Sequence, residues 1–255
     1  MEPKKFVDAH CHLTEKEVLG KVDEVISKCR ESGVVAMICN SLDYPSAKTT
    51  LELQDKYREV FAAIGTHPCT VRKDSGDHKR VLSLIKENKG KIIAIGEIGL
   101  DYKILANNDE KNFQINVFKE FVEEAKKLSI PVVVHSRDAQ RDAVNLLVEW
   151  GCKKVLLHWF SGSIDVLKVA LDQGYYVSVT PAIRYDLRVI NVAKETPLEY
   201  LLVESDSPVA YRGRIAYPYD VVEVGNELAK LKNISLEKIS EQLIENAKHL
   251  FNLPL

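Results

Sequence analysis

The residues best suited to chemistry in this chain stand near its start, in Phe6-Val-Asp-Ala-His-Cys-His-Leu13. A short apolar run reads as a strand, and on an extended segment side chains two apart project to the same side. His10 and His12 therefore aim together, with Asp8 below them on the same face. Two imidazoles converging at a strand end form half of a metal site. Cys11 alternates to the opposite face and reads as core. The same grammar recurs along the chain. His67 in Gly65-Thr-His-Pro68, Glu97 in Gly96-Glu-Ile-Gly-Leu-Asp-Tyr102, His135, His158, and Asp206 in Glu204-Ser-Asp-Ser-Pro208 each lie at or just past the end of a short apolar run. Of the seven histidines, His78 and His249 alone fall in helical patterns.

The apolar runs themselves lie near 6–9, 34–39, 60–64, 92–95, 131–134, 154–157, 175–179 and 200–203. Helical patterns separate them: 14–32, opened by a capping box Thr14-Glu-Lys-Glu17 and stopped by Gly33, then 46–56, 78–88, 110–128, a helix from 136–139 to about 150, another after Gly162, and 184–194. Two more, 220–231 and 235–251, close the chain. Strands alternating with helices imply a parallel sheet, and eight units imply a closed (β/α)8 TIM barrel. The expectation is thus an α/β protein, one barrel domain over residues 1–255 with an extra C-terminal helix. A doubly wound open sheet is disfavoured because no Gly-x-Gly-x-x-Gly follows the first strand. In a barrel every strand C-terminus faces one mouth, where such enzymes carry their sites. Five of the seven histidines, with Glu97 and Asp206, then meet on a single rim. Segments 107–111 and 209–218 read as the most mobile loops.

Four imidazoles (His10, His12, His135, His158) and two carboxylates (Glu97, Asp206) exceed the three or four protein ligands usual for one zinc. They suit two divalent ions sharing a bridging carboxylate. Glu97 is the natural bridge, because between Gly96 and Gly99 the backbone can come close. Imidazole suits zinc or manganese and carboxylate with phosphate suits magnesium, so Mg, Mn and Zn all stay open. Around this set, His67 is placed to contact substrate or a neighbouring carboxylate. Arg137 is placed to hold a substrate phosphate bidentately or to form a salt bridge at a helix start. Asp101 reads equally as a carboxylate orienting a ligand or as a turn cap. Arg184, Arg188, Arg212 and Arg214 follow the last two strands, where barrels often bind phosphate. Trp159 and Phe160 either stack a terminal base or pack.

Composition sets the outer bounds. With 45% hydrophobic and 28% charged residues the 255-residue chain reads as soluble and globular. Its apolar runs fall far short of the ~20 residues needed to span a bilayer. A strand entered almost at once leaves no room for a signal peptide. Five cysteines without Cys-x-x-Cys spacing read as reduced thiols in a cytoplasmic protein. A net charge of −2 argues against coating long duplexes, while allowing a local basic rim.

Taken in order, Asp8-Ala-His-Cys-His-Leu13, Gly65-Thr-His-Pro68, Gly96-Glu-Ile-Gly-Leu-Asp-Tyr102, Val134-His-Ser-Arg-Asp-Ala139, His158-Trp-Phe-Ser-Gly162 and Glu204-Ser-Asp-Ser-Pro208 resemble the successive motifs of the TatD family, metal-dependent deoxyribonuclease-like hydrolases of the amidohydrolase superfamily. Glu245-Asn-Ala-Lys-His-Leu-Phe251 resembles the family's last helix. The resemblance implies that His10, His12 and Asp206 bind one metal, His135 and His158 the other, and that Glu97 bridges them where many relatives use a carboxylated lysine. It implies hydrolysis of DNA phosphodiesters, often from the 3′ end. Because a barrel mouth ringed by helices admits a strand end more easily than the middle of a stiff duplex, the expected partner is DNA at single-stranded or frayed ends, and Asp206, as a metal neighbour, is the expected general base. Two departures stand out: Ser205 replaces the usual Thr, and Ala216-Tyr217 precede Pro218 where the family has Asn-Glu. A site of this kind also suits a cyclic amide, a lactone or an ester, including an aminoacyl ester on tRNA. A metal-loaded binding scaffold is the non-enzymatic alternative.

Overall fold

The computed structural model describes residues 4–71, 76–105 and 107–255. Residue 106, in the polar stretch after Tyr102, lies outside them. Eight parallel strands run β1 (Phe6–Cys11), β2 (Val34–Asn40), β3 (Val60–Ala63), β4 (Ile95–Asp101), β5 (Val132–Arg137), β6 (Val155–Leu157), β7 (Tyr176–Val179) and β8 (Leu201–Val203). They form two arcs, β1-β2-β3 and β4-β5-β6-β7-β8. On one side the arcs meet through the Ala63–Ala94 bridge and the bonds Ile93 N–H to Ala62 O (3.0 Å) and Gly96 N–H to Ile64 O (3.2 Å). On the other side Asp206 N–H donates to His10 O (3.0 Å) and His12 N–H to Ser207 O (2.7 Å). The expected α/β barrel order is therefore present.

The outer layer comprises α1 (Lys16–Leu19), α2 (Val22–Ser32), α3 (Tyr44–Lys56), α4 (Asp77–Glu87), α5 (Asn108–Leu128), α6 (Gln140–Glu149), α7 (Ile164–Asp172), α8 (Leu187–Glu195), α9 (Val221–Lys232) and the extra C-terminal helix α10 (Leu236–Phe251). Each longer helix buries one apolar stripe, as Val25, Ile26 and Cys29 do on α2, and leaves its charged face in water. The inner faces of the strands carry a compact apolar set that includes Val7, Ala9, Ala36, Ile38, Ala94, Val133 and Leu202. No described helix is long and apolar enough to cross a membrane.

Five local expectations need correction. Thr14 does not cap a helix: the chain turns off β1 with Glu15 N–H on His12 O, and the short α1 and α2 replace one long helix, separated at Gly20 and Lys21. The fourth strand begins at Ile95, not 92, and extends through Asp101, so Glu97 lies inside a strand. Residue Asn107 caps α5 by accepting from Glu110 N–H, so 107–111 starts a helix. Segment 209–218 contains an antiparallel hairpin, β9 (Ala210–Tyr211) and β10 (Arg214–Ile215). The helix read at 184–194 instead starts at Leu187, where Asp186 accepts from Arg188 N–H, after a 3-10 turn over Pro181–Arg184.

β4 comes unusually close to β5. A Cβ on Gly99 would stand 2.1 Å from His135 O, and its φ of +136° is one that L side chains rarely adopt. Gly99→Ala should therefore push β4 away from the strand that carries His135. The expected cost is about 3 kcal/mol or more, seen as a fall in Tm of roughly 10 °C for a chain of this size. Thermal melts of the two proteins check this.

Candidate metal centre

β1 delivers His10 and His12 to the barrel mouth, both buried. Their Nε2 atoms lie 3.1 Å apart with the rings nearly perpendicular, at 83°. Glu97 Oε2 stands 3.4 Å from His10 Nε2 and 3.3 Å from His12 Nε2, and Asp206 Oδ1 stands 3.5 Å from both. The other oxygen of Glu97 faces a second group. Oε1 is 2.8 Å from His135 Nδ1, 2.8 Å from His158 Nε2 and 3.3 Å from His67 Nε2. One carboxylate, 2% exposed, thus turns one oxygen to each of two side-chain clusters.

His12, His158 and His135 are each aimed by the atom behind them, whereas the buried Nδ1 of His10 has no hydrogen-bond partner among the described residues. His12 Nδ1 lies 3.0 Å from Asn40 O, at the end of β2. His158 Nδ1 lies 3.3 Å from Glu204, which also accepts from the Ser178 hydroxyl on β7. His135 uses Nε2 for Asp101 Oδ2 (3.2 Å), leaving Nδ1 toward Glu97. Such partners fix ring orientation and tautomer. Asp206 sits in the left-handed region (φ 48°), which Asp tolerates better than most residues, in the turn that brings its carboxylate over β1. Asp8 does not join the cluster: its carboxylate accepts from His10 N–H, Ser205 N–H and the Ser205 hydroxyl, tying β1 to the segment after β8.

The charges are mutually dependent. Burial works against ionisation of Glu97, yet the imidazoles of His67, His158 and His10 hold its carboxyl well below the usual range. Burial likewise opposes charge on His12 and His158, but Asp206 with Glu97, and Glu97 with Glu204, raise them above the ordinary imidazole value. His10 is lowered by burial and by His158, whose ring stacks on it at 4.0 Å. A cation offered to this site meets ionised carboxylates and several imidazole nitrogens. Bonds of 2.0–2.1 Å at tetrahedral angles imply ligand atoms about 3.4 Å apart, and the separations across Glu97 and Asp206 run from 2.8 to 3.5 Å. Among the described residues, three overlapping groups meet the geometry for an ion: His10, His158 and Asp206; His10, His12 and Glu97; His67, Glu97 and His135. The side chains fit divalent metal.

The structure thus brings together His10, His12, Glu97, His135, His158 and Asp206, and adds His67 through its contact with Glu97. All of them but the fully buried His10 floor a cavity of about 830 Å3 whose walls include Lys103, Arg137, Trp159 and Arg188. Arg137 is engaged by Asp101 through Nε (3.1 Å) and Nη2 (2.6 Å), so its salt bridge is present. Asp101 fulfils both of its readings, because it also accepts from Lys103 N–H in the turn after β4. Phe160 is core and cannot stack on a ligand, whereas Trp159 lines the cavity. Of the four arginines after β7 and β8, Arg188 alone lines this cavity among the described residues. Sequence reasoning gave no role to Glu204, Ser178 or the Asn40 carbonyl. Glu204 stands two residues before Asp206 in the same motif, but at 0% exposure it carries no sign in the sequence that it backs a histidine.

The family model described as TatD related DNase matches residues 7–252. The chain belongs to the TatD family. Among curated relatives, the uncharacterized metal-dependent hydrolase YabD of Bacillus subtilis is 31% identical over 96% of this chain and 98% of its own length. Deoxyribonuclease TATDN3 of Homo sapiens is 31% identical over 96% of this chain and 94% of its own. Among solved structures, YjjV, a TatD homolog from Escherichia coli, superimposes with a TM-score of 0.91 at 26% identity, covering 98% of this chain and 99% of that one. This TatD protein is accordingly a metal-dependent hydrolase with a TIM-barrel fold, and its His, Glu and Asp cluster has the geometry to hold a metal ion.

Proposed function

We propose that this TatD protein is a two-metal phosphodiesterase that removes nucleotides from a DNA end, single-stranded or frayed, in the 3′ to 5′ direction. The observation that carries the reading is Glu97, whose two oxygens face two separate imidazole clusters. His10, His12 and Asp206 would hold one ion, His135 and His158 the other, and Glu97 would bridge them. Divalent ions held there supply Lewis acidity, lowering the pKa of an attacking water and offsetting charge on phosphoryl oxygens. Asp206, ionised and lining the cavity, takes the proton of that water as general base. Arg137, held by Asp101 through Nε and Nη2, has Nη1 left for a phosphate oxygen, and His67 borders the same space. A mouth ringed by helices admits a strand end more readily than the middle of a stiff duplex. DNA as substrate is supported by relatives named deoxyribonuclease.

The test is a gel assay on DNA labelled at the 3′ or 5′ end, single- and double-stranded, with Mg2+, Mn2+ or Zn2+. Chelation is expected to abolish cleavage and metal re-addition to restore it. Full activity of a metal-free sample would sink the metal reading. Nicking of closed-circular DNA as fast as end digestion would overturn the exonuclease reading. Rapid hydrolysis of an amide, lactone or aminoacyl ester with no cleavage of DNA would remove the phosphodiesterase.

A further inference from the structure

The β9–β10 hairpin has two faces that look into different spaces. Val209, Ala210 and Ile215 line the main cavity. Tyr211, Arg212, Arg214 and Ala216 line a second cavity of about 270 Å3, which Arg184 and Tyr185 help to complete. Neighbours on an extended ribbon point to opposite sides, so the hairpin is a partition one ribbon thick between the metal cavity and this second space. Tyr211 stands at the joint, its ring 5.4 Å from that of Trp159 in the main cavity wall.

The second cavity is rich in guanidinium groups that its carboxylates do not balance. Arg184 and Arg214 share Glu223, and Arg214 also holds Asp220 at 2.6 Å. Arg212 has no ion pair among the described residues. Its partner is the Tyr185 ring, whose centroid lies 4.2 Å from the guanidinium carbon. The turn itself fixes that position, with Arg212 at φ 51° followed by Gly213 at φ 83°. A planar cation stacked on an aromatic ring keeps its N–H fork for an anion, and the same pair offers flat faces to a base. The volume falls just below the ~300–1,000 Å3 of ordinary small-molecule pockets. It suits one phosphate group with its adjoining sugar, not an independent ligand.

We propose that this cavity is a second phosphate subsite, which takes a phosphate further along a DNA strand that crosses the rim of the hairpin from a scissile phosphodiester at the metal cluster. Arg212 binds that phosphate, and the Tyr185–Arg212 stack supports the adjoining base. The inference rests on the phosphodiesterase reading and deepens it: the substrate is an oligonucleotide gripped at two phosphates, not a simple phosphodiester.

The experiment compares the wild type with Arg212→Ala on two substrates, a single-stranded oligonucleotide and bis(para-nitrophenyl) phosphate, with equal Tm and metal content as the check on folding. Arg212→Ala should raise KM for the oligonucleotide about 10-fold with kcat unchanged. The slope of log KM against log salt should fall by about 0.7. KM for the small ester should not move, and Arg212→Lys should recover the salt slope but only part of the KM. Unchanged oligonucleotide KM, or an equal rise on both substrates, overturns the subsite. A binding arm uses the metal-loaded protein with a fluorescent oligonucleotide joined by hydrolysis-resistant phosphorothioate linkages. Weaker binding by Arg212→Ala with no DNA cleavage by the wild type would uphold the subsite and remove the nuclease reading. Cleavage with unaltered binding would do the reverse, and no binding by the wild type would remove both.

Discussion

Glu97→Gln should abolish turnover while the barrel stays folded. The substitution keeps shape and volume, so the packing beside Gly96 and Gly99 is undisturbed. What changes is charge at the one point shared by both clusters: Oε2 lies 3.3 Å from His12 Nε2 and Oε1 lies 2.8 Å from both His135 Nδ1 and His158 Nε2. A neutral amide presents an N–H2 group to one of these clusters, where it repels a cation instead of attracting one. It also no longer offsets the repulsion between two dications. Partners that merely orient metal ligands typically cost 10–100-fold when removed, so loss of the shared carboxylate should exceed ~100-fold in kcat/KM. Metal analysis should read fewer than two ions per chain, and the far-ultraviolet circular dichroism and the fold should be retained. Near-normal turnover with two ions bound would make Glu97 a strand residue and nothing more.

The features legible in the sequence were those fixed by chain-local geometry. His10 and His12 stand two apart on a strand, and that alone predicts their convergence, observed at 3.1 Å. The eight apolar runs predicted the barrel, and strand ends sharing one mouth predicted that His135, His158 and Asp206 would join them. Less legible was anything decided by side chains reaching across strands. Asp8 has the same spacing from His10 as His10 from His12, yet it turns to Ser205 because the segment after β8 presents an N–H and a hydroxyl there. The start of β4 is not legible because 92–95 is apolar, while the ladder with β5 begins at Ile95 and, after a register shift at Gly96-Glu97, resumes from Ile98 to Asp101. Glycine lacks β propensity, and here it serves close approach between strands, not strand stability. The capping pattern at Thr14 lost to the turn that swings the chain off β1. The hairpin after β8 was hidden because each of its strands is two residues long, too short for alternation to show.

Asp206→Asn should lower kcat far more than it raises KM. Asp206 is 5% exposed, borders the cavity, and is held ionised: burial opposes the charge, but the His12 hydrogen bond and the nearby His10 and His158 rings keep its carboxyl below the ordinary value. An ionised carboxylate beside the attacking water can accept its proton, whereas an asparagine oxygen cannot do so near neutral pH. Its remaining contacts are largely kept. The backbone N–H on His10 O and the turn to Val209 N–H do not depend on the side chain, and the amide can still face His12. General-base assistance is typically worth ~10²–10⁴-fold in rate, which sets the expected fall in kcat, with KM for a single-stranded oligonucleotide within a few-fold of wild type. Steady-state kinetics paired with metal analysis separates the two duties of this residue. A fall in kcat with both ions retained identifies a base. Loss of one ion with the same fall in kcat identifies a ligand. A loss of only a few-fold with the ions in place would take Asp206 out of the chemistry altogether.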